Sequence, residues 1–173
     1  KGDFSGVPLN AEGRKIAAAW DPAAGEKNGD ACRFYGAPAI MRIPGRLHIT
    51  WQDDNTLKVE TDAGMQTRLF NFSSRQAAQG APSWQGSSIA QWEKPESEGR
   101  VGFDTPPQGG GLKVVTTNLR AGYLRRNGVP YSENAVLTEY FDVGALPGVG
   151  PVLVVTSIVN DPNAEHPTFF EIV

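Results

Sequence analysis

The side chains best suited to acid–base chemistry lie in the second half of the chain, around a strong turn signal at Asn127-Gly128. Arg120 precedes this turn, Tyr131 follows it, and Glu139 and Tyr140 come next. A carboxyl group buried beside a guanidinium and a phenol can act as a general acid or base. Successive residues of a strand point to opposite faces, so either Glu139 or Tyr140 can point inward, but not both. These residues predict a catalytic cluster, with a structural Arg–Glu pair as the alternative.

An Arg120–Glu139 contact is the most favourable charged pair that the sequence predicts. Arg120 ends a run rich in β-branched residues, and Glu139 lies within the next predicted strand. If these strands are adjacent and antiparallel, the two side chains can share one face of a sheet. His48, the only histidine in the first half of the chain, is the remaining acid–base candidate. The predicted catalytic residues are therefore Glu139, Arg120, Tyr131, Tyr140 and His48.

Motifs for metal, nucleophilic and nucleotide chemistry are absent from the sequence. The two histidines are far apart, no H-E-x-x-H occurs, and Cys32 alone cannot build a zinc site or an intramolecular disulfide. Gly86-Ser87-Ser88-Ile89-Ala90 lacks the last glycine of a hydrolase elbow. Gly109-Gly110-Gly111 precedes a predicted strand, whereas a phosphate-binding loop leads into a helix. The sequence therefore predicts no metal site and no cofactor.

Aromatic side chains form a second set of candidates, for binding a ligand without reacting with it. The chain has four Trp and four Tyr residues. Large aromatic side chains can line an apolar cavity, and they can equally fill a solid core. The predicted ligand-binding residues are Trp51, Trp84, Trp92 and Tyr123.

Composition excludes several classes of partner. The chain has 173 residues and a formal net charge of −3, without a cluster of Lys and Arg, so a nucleic-acid partner is not expected. No apolar run approaches the roughly 20 residues of a membrane-spanning helix. The length fits one domain over residues 1–173, and 20 Gly and 13 Pro indicate many turns and short elements.

Periodicity predicts one helix followed by strands. Asn10 can cap a helix over Asn10–Trp20, which Asp21-Pro22 would end. Two polar, Gly-rich stretches, Asp21–Asp30 and Lys94–Gly111, are predicted loops. The predicted strands are Ala39–Ile43, Arg46–Trp51, 57–62, Met65–Phe72, Trp84–Glu93, Leu112–Leu119, Ala135–Asp142, Val152–Val159 and Phe169–Val173.

The order of these strands favours an all-β fold, an antiparallel up-and-down β-barrel with one N-terminal helix. About seven to nine strands follow one another through short turns. A barrel of eight strands removes exposed edges and is just wide enough to hold one small ligand. A sandwich of two sheets is the alternative.

Several runs resemble a group of bacterial exported proteins that are thought to be lipocalin-like, or calycin-type, β-barrels. The runs are Arg42–Asp53, Glu60–Arg68, Leu112–Arg120, Gly122–Ser132 and Leu137–Asp142. The resemblance implies a lipocalin-like barrel in a periplasmic or secreted protein whose leader has been removed, consistent with a chain that begins at Lys1. It implies no catalytic residues.

Three functions remain open. One is a surface or assembly protein that uses its sheet edges, and the two others concern the interior of the barrel. The first function is binding of an apolar or aromatic small molecule inside the barrel. The second is a cofactor-independent isomerase, cyclase or lyase that uses the acid–base residues above. An apolar wall with one or two polar groups would indicate binding, whereas a convergent Arg, carboxylate and Tyr would indicate catalysis. The sequence does not determine the oligomeric state.

Overall fold

The computed structural model describes residues 6–21, 23–24, 31–73, 80–93 and 111–172. The predicted loop at Lys94–Gly111 lies outside these residues except for Gly111, which begins a strand. Most of the predicted loop at Asp21–Asp30 also lies outside them.

The N-terminal helix, α1, spans Ala11–Ala18 and confirms the predicted one. The Asn10 side chain caps it by accepting a 3.0 Å hydrogen bond from the Gly13 amide, and its Nδ2 donates to the Pro162 carbonyl at 2.7 Å. A Cβ atom at Gly13 would lie 2.4 Å from the Asn163 carbonyl oxygen. Glycine therefore lets the helix approach the backbone of the C-terminal region closely.

Ten strands follow α1 in the described residues. In chain order they are β1 Leu47–Asp53, β2 Thr56–Thr61, β3 Gln66–Asn71, β4 Ser87–Glu93, β5 Gly111–Thr117, β6 Gly122–Tyr123, β7 Pro130–Tyr131, β8 Val136–Leu146, β9 Gly150–Asn160 and β10 Thr168–Ile172. Eight of them form one curled sheet, in the order β1-β2-β3-β4-β5-β8-β9-β10. The remaining two, β6 and β7, form a small hairpin. The predicted all-β, barrel-like fold with an N-terminal helix is confirmed.

Two details differ from the predicted up-and-down barrel. The sheet is a half-barrel, in which β1 and β10 are the edges and do not pair with each other within the described chain. In addition, β3 and β4 are parallel, with Phe70 opposite Ser88, whereas the other neighbours are antiparallel. The chain from Asn71 to Ser87 is far too long for a tight hairpin, and it brings β4 back in the same direction as β3.

The predicted strand at Ala39–Ile43 is wrong, because this segment begins in a short helix. Helix α2 spans Ala37–Ile40 and follows a 3₁₀ turn at Ala31–Tyr35. Pro38 stands in the first turn of α2, where a missing amide hydrogen does no harm. All four residues of α2 are buried, so the helix packs against the sheet as a cover.

Alternate residues of the strands point to the concave face, and they form two separate apolar clusters. One cluster includes Leu9 and Ala17 from the α1 region, together with Leu137 and Val159 from β8 and β9. In the other cluster, Ile40 of α2 packs against residues of the sheet strands. The members of the second cluster are Ile40, Met41, Leu57, Val59, Phe70, Ala90, Leu112, Val114, Phe141 and Val155. The half-barrel therefore has a core in two parts.

Candidate functional site

A fully buried ion pair joins Arg68 of β3 to Glu139 of β8. Both side chains have 0% exposure. Arg68 Nη1 donates to Glu139 Oε1 at 2.9 Å, and Nη2 donates to Oε2 at 2.5 Å. This bidentate geometry is the strongest form of the interaction between a guanidinium and a carboxylate. Strands β4 and β5 lie between β3 and β8 in the sheet, so the pair spans the concave face.

Two hydroxyl groups extend the ion pair into a polar band. Arg68 Nη2 also donates to Thr116 Oγ1 at 3.3 Å, and that oxygen lies 2.8 Å from Ser88 Oγ. The Arg68 guanidinium lies over the Phe70 ring, with Cζ 4.8 Å from the ring centroid. Arg68 Nε is buried without a hydrogen-bond partner among the described residues. This band lies between the two apolar clusters: in β8, Glu139 stands between Leu137 of one cluster and Phe141 of the other.

The predicted Arg120–Glu139 pair is wrong, because Glu139 is occupied by Arg68. Strands β5 and β8 are adjacent and antiparallel, as the prediction required. Arg120, however, lies beyond the end of β5, is exposed, and has its guanidinium carbon 4.5 Å from the Trp84 ring centroid. Periodicity could have identified Arg68, because it precedes the inward-facing Phe70 by two residues and so shares its face.

Tyr131 is buried in the other part of the core. Its hydroxyl group packs against Gly36 and Gly122, where an added Cβ would lie 2.0 Å and 2.4 Å from the oxygen. That hydroxyl has no hydrogen-bond partner among the described residues. Burial raises the pKa of Tyr131 above its usual value, and the nearby charge of Arg33 opposes this with a smaller effect. Tyr131 therefore stays protonated and holds the β6–β7 hairpin against the 3₁₀ turn.

His48 and Tyr140 lie on the outer face of the sheet. His48 Nδ1 is 3.1 Å from Glu60 Oε2, and Lys58 Nζ is 3.0 Å from the same oxygen. Hydrogen bonds from Lys58 and, to a lesser extent, His48 lower the pKa of Glu60. The Tyr140 ring centroid is 5.4 Å from Lys113 Nζ. The structure does not bring the five predicted acid–base residues together.

The predicted ligand-binding aromatic residues are dispersed too. Trp51 and Trp92 are 54% and 60% exposed, and both contact Phe72: the Trp51 ring is tilted at a centroid distance of 5.3 Å, and the Trp92 ring is stacked at 5.6 Å. Trp84 contacts Arg120. Tyr123 packs edge-on against Trp20, at a centroid distance of 6.5 Å. In the part of the chain that the structure describes, Trp51 and Trp92 therefore share one aromatic neighbour, whereas Trp84 and Tyr123 have contacts elsewhere.

An apolar cleft of about 440 Å³ lies between the two edges of the half-barrel. Residues 40–46 form one wall, β1 and the end of β2 form another, and β9 and β10 complete it. Its apolar side chains are Ile40, Met41, Ile43, Pro44, Leu47, Ala63, Leu153, Val155 and Ile172. None of them belongs to the predicted site, because the sequence prediction selected acid–base and aromatic side chains.

Of the polar side chains that border the apolar cleft, Thr61 and Arg46 form hydrogen bonds within the protein. The Thr61 hydroxyl donates to the Ala63 carbonyl at 2.8 Å. Arg46 Nε donates to Asp62 Oδ2 at 3.0 Å, and the Arg46 side chain extends into solvent. Arg42 also lines the cleft; its Nη2 donates to the Leu124 carbonyl, and its Nε is buried without a hydrogen-bond partner among the described residues. The cleft therefore offers an incoming molecule apolar surface.

Comparison with protein-family models, with curated proteins and with solved structures finds no match for this chain. Among the described residues, no group of three or more His, Cys, Asp or Glu side chains is placed to hold a metal ion. No helix in that part of the chain is both long enough and apolar enough to cross a lipid bilayer.

Proposed function

We propose that this protein binds an uncharged, largely apolar small molecule in the apolar cleft. The observation that carries the proposal is the composition of the cleft wall, in which apolar side chains dominate and the Thr61 and Arg46 side chains are hydrogen-bonded within the protein. A ligand that brought unpaired polar groups into this cleft would lose hydrogen bonds to water without replacing them.

The size and position of the apolar cleft support this proposal. Small-molecule sites are concave, mostly apolar and roughly 300–1,000 Å³ in volume, a range that includes this cleft. It lies where β1 and β10 fail to meet, so a ligand can enter without breaking any pairing between strands. The resemblance to exported lipocalin-like barrels fits the same proposal, which extends to a periplasmic or secreted binding protein.

Catalysis by the predicted acid–base residues is the weaker candidate. General acid–base catalysis needs groups within hydrogen-bond reach of one reacting centre. Glu139 is fully buried and bound at both oxygens by Arg68, whereas His48 and Tyr140 are on the opposite face of the sheet. None of these residues lines the apolar cleft.

Binding of a neutral fluorescent probe, N-phenyl-1-naphthylamine, tests the proposal. We expect a saturable rise in fluorescence with the unsubstituted chain. Leu153→Trp places a large side chain in the cleft wall and should weaken binding by about tenfold or more. Val154→Trp is the matched control, because it follows on the same strand and points to the opposite face. It should bind the probe as the unsubstituted chain does.

Thermal unfolding of each variant is followed by circular dichroism. This control shows that a variant with weaker probe binding is still folded. Absence of saturable binding to the unsubstituted chain would overturn the proposal. If Leu153→Trp binds the probe as tightly as Val154→Trp does, the proposal is also overturned, because the probe would then occupy another surface. Native mass spectrometry of freshly purified protein gives an independent measurement, since a retained natural ligand would appear as added mass.

A further inference from the structure

The β8–β9 hairpin extends past its neighbouring strands as an arm without polar side chains. In the described chain, β5 pairs with β8 up to Phe141, and β10 pairs with β9 from Val155 onward. Residues 143–153, which we call the apolar arm, pair with one another in the register that sets Val143 opposite Leu153. Their sequence is VGALPGVGPVL, in which every residue is either apolar or glycine.

The apolar arm is exposed on both of its faces and at its turn. Val143 is 77% exposed, Leu146 is 45% exposed and Val149 is 72% exposed. Strand alternation places Val143 on the concave face and Leu146 on the outer face, whereas Val149 lies in the turn between the strands. The Val149 amide donates a 3.1 Å hydrogen bond to the Leu146 carbonyl, which closes this turn. Exposed apolar surface of this kind marks a contact with another protein or with a membrane.

The exposure of both faces favours a membrane over a protein partner. A protein surface, including that of a second copy of this chain, would cover one face of the arm and leave the other in water. A bilayer surrounds a segment that enters it, so it would remove Val143, Leu146 and Val149 from water together. Lipid offers no hydrogen bonds to the backbone, and pairing between β8 and β9 supplies such bonds within the arm itself.

The length and charge of the arm indicate the kind of membrane surface. At ~3.3 Å per residue, the strand from Val143 to Leu146 covers about 10 Å, which matches the ~5–10 Å that interfacial segments enter a bilayer. Asp142 at the base of the arm is exposed, and the chain has a net charge of −3, so an anionic surface would repel it. We propose that the apolar arm inserts into the surface of a bilayer of zwitterionic lipids.

Membrane docking would also bring lipid close to the apolar cleft. Leu153, at the base of the arm, is one of the residues that line that cleft. An apolar molecule dissolved in the bilayer would then have a short path to the cleft. Docking itself does not require a ligand in the cleft, so it goes beyond the proposed function.

Co-sedimentation with lipid vesicles tests this inference. One set of vesicles consists of phosphatidylcholine, and in a second set phosphatidylglycerol replaces part of it to add negative charge. We expect saturable binding to the phosphatidylcholine vesicles and equal or weaker binding to the anionic ones. Absence of binding, or binding that requires the anionic lipid, would overturn the proposal.

Two substitutions locate the contact in the apolar arm. Leu146→Asp and Val149→Asp each place a charge in the arm and should weaken vesicle binding by about tenfold or more. Both side chains are exposed, so we expect both variants to fold, which circular dichroism checks. Met65→Asp is the matched control, because it makes the same kind of change at a side chain that is 89% exposed between β2 and β3. An equal loss in Met65→Asp, or unchanged binding in the two arm variants, would contradict the assignment.

Fluorescence quenching shows directly whether the arm enters lipid. Phosphatidylcholine with brominated acyl chains should quench the emission of Val149→Trp more strongly than that of the unsubstituted chain. Equal quenching of the two proteins at saturating vesicle concentration would mean that the turn stays outside the bilayer.

Sedimentation velocity distinguishes a membrane from a second copy of the chain. A dimer that is lost in Leu146→Asp, together with absence of vesicle binding, would assign the arm to self-association and overturn the proposal. Binding of N-phenyl-1-naphthylamine to Leu146→Asp, measured without vesicles, should be unaltered, because Leu146 is not among the residues that line the apolar cleft. The two proposals can therefore fail separately.

Discussion

At the scale of single residues, the Arg68–Glu139 pair is the most specific interaction in the core. Sequence alternation predicted that either Glu139 or Tyr140 points inward, and the structure places Glu139 there. The partner was not predictable from local pattern, because Arg68 is 71 residues away in sequence. A buried ion pair often adds little net stability over apolar residues, but breaking it leaves one charge without compensation. Removing either partner alone should therefore cost more than replacing both by apolar residues.

We predict that Glu139→Gln lowers the free energy of unfolding by roughly 3 kcal/mol, because it leaves the buried Arg68 charge without a carboxylate. Arg68→Met should cost a similar amount for the converse reason. The double substitution Arg68→Met/Glu139→Leu should be much less destabilising than the sum of the single substitutions. Urea unfolding measures all of these variants. Additive effects would show that the two side chains do not depend on each other.

At the scale of elements, local signals predicted the helix and most strands. Asn10 caps α1 as expected, and the Asn127-Gly128 signal corresponds to the turn region between β6 and β7. Gly128 has a φ of +86°, which favours glycine, and a Cβ atom there would lie 2.3 Å from Trp20 Cγ. Helix α2 was missed because its short apolar sequence fits a strand as well as a helix.

We predict that Gly128→Ala destabilises the protein more than Gly148→Ala. Both glycines have a positive φ, of +86° and +78°, but a Cβ atom at Gly148 would meet nothing within 4 Å. Gly148→Ala should therefore cost about 1 kcal/mol for backbone strain alone, whereas Gly128→Ala adds a steric clash with Trp20. Chemical denaturation of the two variants measures the difference. Equal losses would mean that Trp20 moves away freely.

At the scale of the whole molecule, the two edges of the half-barrel border the apolar cleft and differ in exposure from the centre of the sheet. Strand β1 is largely exposed along its length, although Leu47, Ile49 and Trp51 share the concave face. Strand β8 has neighbours on both sides, and Leu137, Glu139 and Phe141 are buried on its concave face. Resistance to local opening should therefore be lowest at the β1 edge and highest in the centre of the sheet.

We predict that hydrogen–deuterium exchange, measured by mass spectrometry, is much slower in the Leu137–Phe141 part of β8 than in β1. Amide groups in the centre of the sheet exchange mainly after extensive unfolding, whereas an edge strand can detach alone. A saturating ligand in the apolar cleft should slow exchange in β1 and β10, which border it. Equal protection of β1 and β8 in the free protein would contradict an open half-barrel.

The sequence by itself determined the features that depend on neighbouring residues: the all-β class, the capped helix, most strands and the turn after Tyr123. These follow from periodicity, capping and turn chemistry, which act within a few residues. The tertiary structure alone decided that β3 and β4 run parallel, that the sheet stays open, and that Glu139 binds Arg68 in place of Arg120. It also decided that residues 40–46 and the two sheet edges border an apolar cleft whose lining includes none of the predicted aromatic and acid–base residues. Such contacts join segments distant in sequence, and their geometry depends on how all the strands curl and pack together.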